Sequence, residues 1–112
     1  MHLVWTIWVN AKTEEKALRL FSQVIKRMEK DAFDKHVESD SKIEGFVVSF
    51  STQLKAEQWN DAVVETIGLG QRIGHRWQLS GSIYDDPQGH SIKSNFSGIT
   101  SISWTLINEK PK

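Results

Sequence analysis

The side chains able to do chemistry in this chain are four histidines, equal numbers of acidic and basic residues, and one glycine-rich run. His2, His36, His75 and His90 are scattered over the whole length, and no two have metal-ligand spacing. No metal site is expected. There is no cysteine, which excludes disulfides, thiolate catalysis and cysteine metal sites. Ser, His and Asp are all present, but nothing resembles a nucleophile elbow. Gly68-Leu69-Gly70-Gln71-Arg72-Ile73-Gly74 looks like a phosphate loop, yet it follows a helix and opens none. It reads as a helix stop and a flexible link. No cofactor is expected.

Arg72, His75 and Arg76 sit close together in sequence, and His75-Arg76 stands directly beside Trp77. A cation, an imidazole and an aromatic at a strand entrance could hold an anion or a nucleotide. The preferred reading is three residues alternating across a sheet edge. Asp85 and Asp86 precede Pro87 and read as turn formers rather than a catalytic pair. The five tryptophans say more. Trp5, Trp77 and Trp104 fall on strand faces and read as core; Trp59 belongs to a helix stripe. Trp8 shares a parity with Val4, Thr6 and Asn10, opposite Leu3, Trp5, Ile7 and Val9. It stands on the open face if the helices cover the other one, and an exposed aromatic there marks a binding surface. The other reading has the last strand or a loop folded over it.

The elements that position these residues follow from periodicity. Leu3 to Val9 alternates as a strand. Thr13 is a good N-cap, with Glu14 and Glu15 suited to the helix dipole. Ala17, Leu18, Phe21, Val24, Ile25 and Met28 then make an apolar stripe, predicting a helix over residues 14–30. Asp31 to Lys35 is a connection, and residues 36–50 read as a hairpin around Ser39-Asp40-Ser41-Lys42. Its second strand runs Ile43 to Phe50. Ser51 or Thr52 leads into a second helix carrying Trp59, Ala62, Val63, Thr66 and Ile67, ended by Gly68 or Gly70. Trp77, Leu79, Gly81 and Ile83 form a strand, Asp85 to Gly89 a turn, and residues 88–96 a mobile loop. Ile99 to Ile107 is a final long strand, and Glu109 to Lys112 a solvated tail.

This order, β-α-β-β-α-β-β, predicts one α+β domain over residues 1–112. Its core is ferredoxin-like β-α-β-β-α-β, with both helices on one face of an antiparallel sheet. The additional C-terminal strand is expected at an edge, where it could pair with its copy to form a homodimer. A chain of 112 residues buries enough surface to fold without staples. No signal peptide is expected at Met1-His2-Leu3-Val4-Trp5, no apolar run reaches the roughly 20 residues that span a bilayer, and the expected location is cytoplasmic. Fourteen basic against fourteen acidic residues give no net charge, which argues against binding dominated by nucleic-acid phosphates.

Ile7-Trp8-Val9-Asn10 faintly resembles the first-strand motif of the RNA-recognition motif. Gly45-Phe46-Val47-Val48-Ser49-Phe50 resembles its third-strand motif without the basic residue and the intervening second aromatic. That resemblance implies single-stranded RNA binding through sheet aromatics. A small enzyme is another alternative, but no residue set identifies a reaction. Taken as a whole, the chain is similar to bacterial immunity proteins, including those of contact-dependent growth inhibition; no motif carries this likeness. It implies a small non-enzymatic protein that binds a cognate toxin domain, often a nuclease, and blocks it. The acidic Glu38, Asp40 and Glu44 are then the residues to face a basic groove, with Trp8 and Trp59 as anchors.

Overall fold

The computed structural model describes residues 1–42, 44–82 and 85–108. Ile43 and Ile83 of the expected strands, and the expected tail from Glu109 to Lys112, lie outside the described residues. The elements run β1 (His2–Val9), α1 (Glu14–Met28), β2 (Ala32–Asp40), β3 (Gly45–Gln53), α2 (Trp59–Ile73), β4 (Gly74–His75), β5 (Gln78–Ser80), β6 (Gln88–Ser91), β7 (Lys93–Ser94) and β8 (Ile99–Ile107). Six strands form one antiparallel sheet in the order β2-β3-β1-β8-β6-β5, and β4 pairs with β7 apart from it.

In β1 the odd residues Leu3, Trp5, Ile7 and Val9 are fully buried. Their partners Thr52, Phe50 and Val48 on β3 and Leu106, Trp104 and Ile102 on β8 are buried too. One face of the sheet is therefore apolar across three strands, and both helices cover it. Phe21 of α1 packs edge-on against Phe50, with ring centroids 4.9 Å apart. On α2, Val63 and Ile67 approach Trp104. The buried residues of both helices and of this sheet face form one core cluster. Among the described residues no helix is long and apolar enough to cross a membrane.

The α1 stripe matches its capping signals. Thr13 Oγ1 accepts the Lys16 N–H at 3.2 Å, and Glu29, in the left-handed region, closes the helix through its N–H to the carbonyls of Ile25 and Lys26. The helix ends at Met28 rather than residue 30, and Leu20 joins the buried stripe.

Several expectations change. Asp31 to Lys35 is not a connection, because β2 already begins at Ala32, and the strand expected from Trp77 through Gly81 is only β5, so Trp77 and Gly81 lie outside it. The ferredoxin-like order is not the one found, because the last strand is not at an edge. β8 lies between β1 and β6, so both of its sides are paired and it offers no edge to a second copy. The edges are β2, interrupted by a bulge at left-handed Asp34 and lined with charge, and the three-residue β5. Neither Ser51 nor Thr52 starts α2: β3 continues to Gln53, and buried Thr52 accepts the Trp5 indole N–H at 2.9 Å. Neither Gly68 nor Gly70 stops α2, which continues to Ile73 and is capped by Gly74, the last glycine of the run. Finally, residues 88–96 are not a loop but mostly β6 and β7.

Candidate functional site

The sheet face away from the helices carries the even residues of β1. Register defines its rows. Glu38, Val47, Trp8 and Ser101 are neighbours on β2, β3, β1 and β8. The next row is His36, Ser49, Thr6, Ser103, His90 and Gln78, polar on all six strands. A third joins Ser51, Val4, Thr105, Gln88 and Ser80. This face is therefore mostly short polar side chains, with Trp8 on β1 and, on edge strand β2 beside Ser51, the exposed Phe33, whose ring meets His2 at 5.9 Å.

Trp8 is half-buried without being under a helix. Its ring meets His90 of β6 edge-on, 5.9 Å between centroids. The two strands are separated by β8, so both rings lean over Ser101 and Ser103, whose small side chains leave that space. His90 thus props the indole at a fixed angle. Sequence reasoning missed His90 because Gln88-Gly89-His90-Ser91 contains no large apolar residue. Its signal is alternation of another kind: Gly89 and Ser91 are buried while Gln88 and His90 are exposed.

The acidic residues lie along one flank of Trp8. Glu38 is two strands from it, roughly 10 Å at normal strand spacing. It is exposed and pairs with His36 at 2.8 Å. Asp40 is committed to the hairpin turn, its carboxylate accepting the Lys42 N–H at 2.9 Å, and Glu44 is exposed at the same turn in the left-handed region. Glu38 shares a register row with Trp8, and Asp40 and Glu44 lie at the adjoining hairpin turn; Trp59 does not join them. It opens α2 on the helix side, five residues after Leu54, whose N–H binds the Met1 carbonyl at the far end of β1. Trp59 packs half-buried against the core.

The expected basic cluster also separates. Arg72 turns to the end of α1, donating to the Met28 carbonyl at 3.2 Å and reaching Glu29 at 3.5 Å. His75 and Arg76 instead border a hollow between α2 and β5. The histidines remain apart, and among the described residues no three metal-ligating side chains cluster.

Trp8, Glu38 and His90 lie on an exposed sheet face of an α+β fold. No protein-family model matches the chain, and no curated protein or solved structure gives a significant match.

Proposed function

We propose that the chain is a protein-binding domain that uses its open sheet face, and that its partner is a toxin domain which it neutralises in the cytoplasm as an immunity protein. The observation that carries this reading is Trp8 in one row with Glu38, flanked by Asp40 and Glu44. A half-buried indole held by His90 is an anchor that loses little freedom on binding. The acidic flank supplies attraction to a basic surface such as a nuclease groove. The likeness to immunity proteins as a class agrees with a small domain that binds rather than catalyses.

RNA binding has less support. The β3 aromatics Phe46 and Phe50 face the helices, pairing with Val9 and Trp5, and the open-face positions of β3 are Val47, Ser49 and Ser51. On this face β3 carries no aromatic where the RNA-recognition motif stacks a base.

The test is coexpression with the C-terminal domain of the protein encoded immediately upstream. Growth arrest by that domain should be relieved by the wild type and not by Trp8→Ala. Combined alanine substitution of Glu38, Asp40 and Glu44 should weaken the complex and flatten its salt dependence, read by calorimetry at two ionic strengths. Persistent arrest with the wild type, or tight binding to a single-stranded oligouridine quenching Trp8, would overturn the proposal.

A further inference from the structure

We infer that the chain carries a second binding site, for a small aromatic carboxylate, in the hollow between α2 and the β5 edge. It lies on the helix side of the sheet and does not depend on the open-face reading. The hollow measures about 380 Å³, inside the range of small-ligand pockets.

Its walls are fixed by two tryptophans. Arg76 adopts the left-handed region at φ 52°, and Trp77 folds back onto α2. The Trp77 indole N–H donates to the Gly70 carbonyl at 3.0 Å. Its ring lies where side chains at residues 70 and 74 would begin: a Cβ on either glycine would sit 3.2 or 3.3 Å from ring atoms. The far edge of Trp77 meets Trp5, 6.5 Å between ring centroids. The second wall is Trp104. It leans over Gly89, where a Cβ would be 2.3 Å from the indole nitrogen. Held in this way, Trp77 presents rigid, half-buried apolar surface, and Trp104, only 3% exposed, closes the bottom of the hollow.

The mouth is apolar and open to water. Ile67 is 38% and Leu79 60% exposed, on opposite banks of the hollow. A smaller space of about 200 Å³ continues it past Val63 and Pro87. Such surface left uncovered on a small domain marks a contact site. The polar lining of the hollow is Gln71, His75 and Arg76. No acidic residue is among the described residues lining either space. The Arg76 guanidinium makes no ion pair with a described residue. A flat apolar body against Trp77, Ile67 and Leu79 with a carboxylate at the guanidinium satisfies walls and rim together.

The probes are 2-naphthoate and the uncharged 2-naphthamide, titrated into the full chain and followed by the indole N–H resonances. Naphthoate should saturate below millimolar concentration and move the Trp77 and Trp104 signals while leaving Trp8 in place. The amide should bind at least tenfold more weakly. Arg76→Gln should erase the preference for naphthoate over the amide, and Ile67→Ala should weaken both about threefold to fivefold. Both positions are exposed, and circular dichroism with an unmoved Trp8 resonance confirms the fold of each variant. Absence of saturation, equal affinity for the two probes, or a shift confined to Trp8 would overturn the assignment.

Discussion

The half of the molecule made by α1, β1, β2 and β3 is built differently from the half made by α2 and β4 to β7. In the first half the strands are eight or nine residues long, and large apolar side chains of β1 and β3 fill the core, while the edge strand β2 is mostly exposed. In the second half no strand exceeds four residues. Its chain is held by side chains bonding to backbone. Ser91 Oγ donates to the His75 carbonyl, Ser94 Oγ lies within reach of the Phe96 and Ile99 carbonyls and donates its one proton to either, and Asn95 Nδ2 donates to that of Arg72. Glycines there yield space to the indoles of Trp77 and Trp104. Alternation of large side chains fills a core evenly. Polar stitching fixes a path without filling the space beside it, so the hollow lies in the second half and the first half serves as support.

The largest test of this contrast is Trp5→Ala. Trp5 is fully buried, stacks on Phe50, meets Trp77 and donates to Thr52. Its loss should cost about 3–5 kcal/mol by urea denaturation. A cost near 1 kcal/mol would mean that the first half tolerates voids and that the contrast is overstated. Next comes Gly89→Ala, which places a methyl group 2.3 Å from the Trp104 indole nitrogen. The indole must move, and the expected loss is about 2–3 kcal/mol. A neutral result would show that Trp104 is not clamped and would weaken the rigid wall argued for the hollow.

The same contrast explains what could be read from sequence. β1, α1 and the β2–β3 hairpin announce themselves through large apolar residues at period two or through caps, and Trp8 on the open face follows from parity alone. The position of β8 does not. Ile99 to Ile107 is an evident strand, but pairing with β1 rather than at an edge is a non-local outcome with no local signature. A bulge opposite the Trp8–Val9 step also ejects Thr100 from the buried parity that Ile102, Trp104 and Leu106 keep. Gly68 and Gly70 mislead because they resemble helix stops. Gly68 has open space around it, whereas Gly70 accommodates the Trp77 ring, which only the tertiary fold brings there. Trp59 shows the same limit: helical spacing places it on a stripe, not on a surface shared with Trp8.

The two halves are tied at Glu65, and pH can loosen that tie. Its carboxylate accepts the N–H groups of Lys55 and Ala56 at 3.0 and 2.9 Å and pairs with Lys30 at 3.0 Å. Burial by itself would raise its pKa, but these donors outweigh burial and hold it below the usual glutamate value. A depressed folded-state pKa means that the ionised form stabilises. The contribution is complete above the unfolded value, near 4.3, and is lost as pH falls through the folded value. Glu65→Gln should therefore be less stable than wild type at pH 7 by about 1–2 kcal/mol. The gap should narrow as the solution is taken below roughly pH 4. Urea midpoints measured from neutral to acid pH check this, and a gap independent of pH would remove the ionic tie.

The smallest effects come from the helix starts, where the halves differ again. α1 has Thr13 bonded to the Lys16 N–H, while Gln58 precedes α2 with no side-chain cap despite an extended backbone suited to one. Thr13→Ala should lose about 1 kcal/mol. Gln58→Asp should move stability the other way, by roughly 0.5 kcal/mol or more, because an aspartate at that position can accept an N–H of the first turn and meets the positive end of the helix. The informative quantity is the difference in sign between the two substitutions, measured in one buffer. If Gln58→Asp also destabilises, the start of α2 is already satisfied by Gln58 in solution, and the lower order assigned to the second half does not extend to its helix.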